Sequence, residues 1–152
     1  MEHISWVCKA FYDLSLDELY EILFLRQEVF VVEQDCPYID TDFKDQKGWH
    51  VCGYDKDGHL IAYTRILPKG ISYDHYASIG RVITSSRMRG KGIGRSLMEK
   101  SIQYAYDLLG LQVIKISAQN HLRSYYGSLG FRPTGDIYDE DGIPHIAMIL
   151  DS

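Results

Sequence analysis

Hydrophobic and polar positions alternate over residues 3 to 11, with Ile4, Trp6, Cys8 and Ala10 on one side and Ser5 and Lys9 on the other, the period of a half-buried strand. Ser15-Leu16-Asp17-Glu18 reads as a capping box, and Leu16, Leu19, Tyr20, Leu23, Gln27 and Phe30 follow at helical spacing, which predicts a helix to about residue 32. The period is lost over residues 33 to 48. There Pro37, five acids (Glu33, Asp35, Asp40, Asp42, Asp45) and two lysines predict a loop with at most a short helical turn. Two strands follow, at 49 to 54 and 59 to 67, joined across Asp57-Gly58, and a third at 77 to 84. After Gly92 a helix carries Leu97, Met98, Ile102, Ala105 and Leu109 on one face and closes at Gly110. A β-branched strand at 113 to 117, a short helix at 121 to 129, and strands at 131 to 138 and 143 to 150 around Asp141-Gly142 complete the chain. The order β-α-loop-β-β-β-α-β-α-β-β predicts one mixed α/β domain over residues 1 to 152.

Composition narrows the function. A chain of 152 residues with 45% hydrophobic and 24% charged residues suits an ordinary folded domain, long enough to bury a core without disulfide or metal staples. A net charge of -5 argues against nucleic acid or an anionic membrane as partner. Cys8, Cys36 and Cys52 show no C-x-x-C spacing, and no basic start or long apolar run marks a leader or a span, so a reducing, cytoplasmic setting is predicted. The six histidines never fall in H-x-H or H-E-x-x-H spacing, and no metal site is predicted.

The most informative stretch is Arg87-Met88-Arg89-Gly90-Lys91-Gly92-Ile93-Gly94-Arg95, between a strand and a helix. Glycines let the backbone approach a ligand closely, and free N–H groups at a helix start favour anions, so the turn suits a pyrophosphate. The spacing G-x-G-x-G is neither a P-loop nor a dinucleotide fingerprint. Arg89-x-x-Gly92-x-Gly94 resembles the Arg/Gln-x-x-Gly-x-Gly/Ala segment of the GCN5-related N-acetyltransferase (GNAT) superfamily, and Tyr126-Gly127-Ser128-Leu129-Gly130-Phe131 resembles its Tyr-x-x-x-Gly-Phe segment. Leu25-Arg26-Gln27-Glu28-Val29-Phe30-Val31-Val32-Glu33-Gln34, Cys36-Pro37-Tyr38 and Glu140-Asp141-Gly142-Ile143-Pro144-His145 are similar to the ElaA-type branch of that superfamily.

The resemblance implies a mixed, mostly antiparallel sheet with a splayed strand pair, flanked by helices. It implies an acetyl-CoA-dependent N-acetyltransferase acting by direct transfer on a primary amine of a small molecule or peptide, and a homodimer is compatible with it. By resemblance, the coenzyme is held by Val82, Ile83 and Thr84 of the splayed strand and by Arg89, Gly90, Lys91, Gly92, Ile93, Gly94 and Arg95 of the turn. Gln119 stands where many members have an asparagine, seven positions before Tyr126, with Asn120 beside it. Tyr126 matches the tyrosine that protonates the departing thiolate, and Tyr125 next door is its rival.

An alkylammonium acceptor has a pKa of about 10.4, so transfer needs a proton acceptor. Glu33, Asp42 and His50 are candidates, with Glu33 favoured because it follows the apolar Phe30-Val31-Val32. Arg26 lies on the apolar side of its helix, costly unless paired, so it orients a substrate or forms a structural ion pair; Arg26 and His50 are the candidate substrate contacts. Charge is uneven: residues 75 to 98 hold five basic and no acidic residues, leaving -10 elsewhere. A cationic patch suits coenzyme phosphates, and the acidic loops at 33 to 45 and 136 to 141 are a candidate attractor for a cationic amine. An acyl-homoserine-lactone-type synthase and a non-catalytic acyl-CoA sensor are the alternatives.

Overall fold

The computed structural model describes residues 3–152; Met1 and Glu2, the first two residues of the domain predicted over 1 to 152, lie outside the described residues. The alternating N-terminal segment forms β1 (Ser5–Ala10). The capping box forms as expected at the start of α1 (Leu16–Arg26): Ser15 Oγ accepts from the Glu18 N–H at 3.0 Å, and the Glu18 carboxylate accepts from the Ser15 N–H at 2.8 Å. The helix does not continue in α form to residue 32. It widens into π-type turns over Gln27–Glu33, a segment rich in β-branched valines that fit an α-helix less readily. The wider turn seats Val29 against Ile22, Leu25, Tyr63 and Ile83 and leaves Val32 exposed.

The acidic loop contains one 3-10 turn, Asp45–Lys47, and leads into β2 (Trp49–Tyr54), β3 (Leu60–Leu67) and β4 (Ala77–Thr84). Next come α2 (Ile93–Leu109), ended by left-handed Gly110, then β5 (Ile114–Gln119) and α3 (Arg123–Ser128). The strand expected over 131 to 138 is two short pieces, β6 (Arg132–Pro133) and β7 (Tyr138–Glu140). Pro133 has no N–H for a ladder and Gly135 turns the chain at φ 87°, which breaks the run. Across the Asp141-Gly142 turn, with both residues at positive φ, β8 (Ile143–Leu150) returns to pair with β7.

The strands form one sheet in the order β1-β2-β3-β4-β5-β8-β6, with β7 also on β8; every ladder is antiparallel except β4–β5. This is the mixed, mostly antiparallel sheet expected. Wholly buried β3 divides the core: Tyr63 packs with Ile22 and Leu25 of α1, while Thr64 Oγ1 lies 2.6 Å from Ser101 Oγ of α2. Leu97, Met98 and Ala105 of α2 cover Ile61, Ile66 and Ile114 on that second face. Among the described residues, no helix is long and apolar enough to cross a membrane.

The feature that makes a site is where the sheet fails to close. β4 and β5 pair only at Ala77–Ile114 and Ser78–Lys115, then part. Against β3, Thr64 faces two residues of β4, Arg81 and Val82, and Arg81 takes the left-handed φ of 51°. Such a bulge bends its strand and redirects its backbone groups. Beyond Ser78, β4 therefore presents backbone to a cleft rather than to β5.

Candidate active site

Two adjoining cavities open where β4 and β5 part. One, of about 470 Å³, lies under the glycine-basic turn and is lined by Thr84, Arg89, Gly90, Gly92, Gly94 and Tyr125 among others. The other, of about 540 Å³, extends beneath the acidic loop and the β7–β8 turn. Both share Phe30, Gln34, Val82, Gln119, Leu122 and Tyr126, so the two form one continuous cleft with a waist.

At the first end, Gly90 and Gly92 sit at φ 81° and 77°, where an L side chain is strained, and nothing crowds the space a Cβ would occupy. Gly92 is the N-cap of 17-residue α2 and no side chain caps it, so the first N–H groups of the helix have no partner within it. A Cβ on Gly94 would come to 3.5 Å from Tyr125 Oη and 3.6 Å from Thr84 Oγ1. Arg89 Nε donates to the Thr84 carbonyl at 3.1 Å, and its guanidinium grips the Glu33 carboxylate, with Nη2 3.0 Å from Oε2. Ile93 and Ile83 are buried beneath the turn. Lys91 and Arg95 stand outside the cavity lining; Arg95 contacts Glu99 at 3.3 Å and Ser128 Oγ at 3.2 Å.

Tyr126 is buried at the waist, its ring edge-on to Phe131 and Tyr125. Burial, with a smaller contribution from Tyr125, pushes its phenol up to about 12, so it is neutral at ordinary pH. Tyr125 lines the first cavity alone. Gln119, at the end of β5, lines both cavities, while the Oδ1 of neighbouring Asn120 is buried without a partner.

Three of the sequence-based assignments change. Arg26 is fully buried and cannot contact an acceptor: its Nε lies 2.6 Å from Asp40 and its Nη1 2.7 Å from Asp45, the structural ion pair rather than a substrate contact. His50 is also buried, with both ring nitrogens engaged. Nδ1 accepts from the Tyr63 hydroxyl at 2.6 Å and Nε2 donates to the Asp45 carbonyl at 2.9 Å. Burial first of all lowers its pKa, so it is neither a substrate contact nor a base facing the cleft. Glu33 is not the partly buried base expected after the Phe30-Val31-Val32 run. The chain turns it outward onto Arg89, whose hydrogen bonds hold its carboxyl below the usual range.

Asp42 does line the second cavity, but Arg65 contacts it at 2.8 and 2.9 Å and Arg81 at 3.4 Å. Burial opposes its ionisation, and these partners, Arg65 foremost, outweigh burial and bring the carboxyl down to about 2. Asp45 is likewise lowered, by Arg26 and Arg65 against burial. The acidic loop is therefore no free attractor. Among the described residues, only Asp35 of its five acids lacks an arginine partner.

Two polar groups on the second cavity wall were not singled out as chemistry by the sequence, His145 and Glu140, with Nε2 to Oε2 at 3.3 Å. The Asp141-Gly142 hairpin could have signalled them. It pairs Glu140 with Ile143 and Tyr138 with His145, and period-2 alternation then puts Glu140 and His145 on one face.

Comparison with known proteins decides the family. The model of the acetyltransferase (GNAT) domain matches residues 25–152. The chain belongs to the GNAT family. Its branch is the ElaA type. It is 42% identical to Protein ElaA of Escherichia coli strain K12 over 147 residues, 95% of each chain. The crystal structure of E. coli ElaA superposes with TM-score 0.91 at 40% identity, covering 98% of this chain and 100% of that one. An acyl-CoA N-acyltransferase from Pseudomonas aeruginosa superposes with TM-score 0.89 at 44% identity, covering 96% and 99%. The AHL synthase LasI shares the fold, with TM-score 0.80 at 15% identity over 99% of this chain and 90% of that one. GNAT domains use an acyl-CoA as co-substrate, and this chain's glycine cradle, open N-terminus of α2 and unpaired β4 backbone fit its pyrophosphate and amide-bearing arm.

Glu33 and Arg89 also test each other. Glu33→Gln is expected to tighten binding of acetyl-CoA several-fold, because the guanidinium that Glu33 holds becomes free for a phosphate; isothermal titration reads it. Weaker binding would show that the pair, not the free arginine, builds the donor end.

Proposed function

We propose that the chain transfers an acetyl group from acetyl-CoA to a primary amine of a small molecule or peptide, directly, with both substrates in the cleft. The observation that carries this reading is the waist: Val82, Gln119 and Tyr126 meet where the donor-end and far cavities join. The bound thioester supplies an activated carbonyl. The Gly90-to-Gly94 backbone and Arg89 hold the pyrophosphate, and Gln119 faces the pantetheine arm. The Val82 N–H, on the stretch of β4 that β5 leaves unpaired, donates to the carbonyl oxygen as charge develops there. Tyr126, neutral and at the waist where Tyr125 is not, gives its proton to the departing sulfur.

The test has two readouts on the full chain. Acetyl-CoA at a hundredfold excess over its Kd should stabilise the fold by about 2.7 kcal/mol, a rise of several degrees in melting temperature. Thiol release with a panel of primary amines should then be acceptor-dependent. Stabilisation without transfer to any amine would instead make the chain a coenzyme-binding module, and no stabilisation would overturn the reading altogether.

A further inference from the structure

Transfer as derived so far leaves the acceptor amine with no group to take its proton. Glu33 is at the donor end on Arg89, and Asp42 is held by Arg65 and Arg81. Tyr38, also on the far wall, has its phenol pushed up to about 12 by burial and by Asp40, to which its hydroxyl donates at 3.1 Å. His59 is in the exposed β2–β3 turn beside Asp55, and His75 and His121 line neither cavity. Among the described residues, His145 is the one imidazole on the cleft wall.

We propose that His145 is the proton acceptor for the amine, positioned by Glu140; this rests on the acyl-transfer reading above. His145 sits on β8, directly opposite Gln119 of β5 and Tyr138 of β7, and so one strand away from the waist. Its Nδ1 is 2.8 Å from the Ile143 carbonyl oxygen. A carbonyl only accepts, so Nδ1 carries the hydrogen and Nε2 is the basic nitrogen. Nε2 lies 3.3 Å from Glu140 Oε2, close enough for the carboxylate to fix the direction in which the ring faces. The Tyr138 ring lies against the imidazole at 6.1 Å, and its hydroxyl bonds Ser117, which limits the ring's freedom to turn. The titratable groups around His145 are Glu140 and Tyr138 of β7, with Tyr73 close to both; β5 contributes neutral Ser117 and Gln119.

The protons balance. Nε2 takes one proton from the ammonium and returns it to solvent. The amine nitrogen then forms the C–N bond, the C–S bond breaks, and the second proton lost by nitrogen replaces the one Tyr126 gives to sulfur. The products are the amide, the free thiol and one released proton.

Acceptor basicity isolates this role. At pH 7 ethylamine, with an alkylammonium pKa of about 10.4, must lose a proton before attack, whereas 2,2,2-trifluoroethylamine is already largely neutral. With acetyl-CoA as donor, His145→Gln is expected to lower kcat/KM about 10²-fold for ethylamine and less than about fivefold for the fluorinated amine. Glu140→Gln, an isosteric change at an exposed carboxylate, should lower kcat about tenfold for ethylamine with KM unmoved. Thermal stabilisation by acetyl-CoA should match wild type in both variants, which reports an intact donor end. Equal losses with the two amines, or none with either, overturn the role of His145 while leaving acyl transfer standing. If the wild-type protein binds acetyl-CoA and acetylates neither amine, the acyl-transfer reading fails and this assignment falls with it.

Discussion

Tyr126→Phe is expected to lower kcat by roughly 10²- to 10⁴-fold, the range that a positioned general acid contributes, while acetyl-CoA still raises the melting temperature. The substitution removes one oxygen and keeps the ring that packs edge-on against Phe131 and Tyr125, so the buried waist should hold its shape. Burial raises the phenol to about 12, which keeps Tyr126 in its proton-bearing form across the working range and places any loss from its ionisation where pH approaches that value. A thiolate leaves poorly into a desolvated cleft unless it is protonated as the C–S bond opens, and Tyr126 is the hydroxyl common to both cavities. Tyr125→Phe is the internal control. Tyr125 borders the donor end alone, so its loss should act on coenzyme binding more than on kcat. Turnover within a few-fold of wild type in Tyr126→Phe, measured by thiol release at saturating substrates, would remove the acid role.

What the sequence made legible followed from local rules. Ser15 and Glu18 cap a helix three residues apart, Asp141-Gly142 imposes a two-residue hairpin, and Gly110 at φ 83° ends α2, because each depends on neighbours a few positions away. The glycine turn was legible for the same reason: Arg89 to Gly94 is one continuous segment between a strand and a helix. The far end was not. Arg26 reaches Asp40 and Asp45 across an aperiodic loop, and nothing in that loop's pattern says which acid turns inward. Arg26 on an apolar helix side signalled only that a partner must exist. The widening at Gln27–Glu33 turned Glu33 away from the core, and an α-helical wheel cannot register that change. His145 escaped notice because its chemistry depends on the β5–β8 and β7–β8 ladders together.

Arg26→Ala is expected to destabilise the fold by about 3–5 kcal/mol, the cost of removing one member of a buried charge network and leaving its partners uncompensated. Asp40 and Asp45 are each 5% exposed, and Arg26 itself has no exposed surface, so solvent cannot replace the guanidinium without opening the core under α1. Asp45 would keep Arg65 at 2.8 Å, and Asp40 would keep Arg81 and the Tyr38 hydroxyl. Against a total stability of about 5–15 kcal/mol, such a loss is large and should lower the melting temperature by roughly 10 °C. The pH dependence follows from the lowered carboxyls. Asp42, at about 2, and Asp45 lie below the unfolded aspartate value of about 3.9, so their contribution is complete above that value and is lost as pH falls toward 2. Removing Arg26 takes away a partner that lowers Asp45, so acid unfolding should begin at higher pH in the variant. Urea titrations from pH 2 to 7 measure both effects. A stability change below about 1 kcal/mol together with a raised KM for the acceptor amine would return Arg26 to a substrate-binding role.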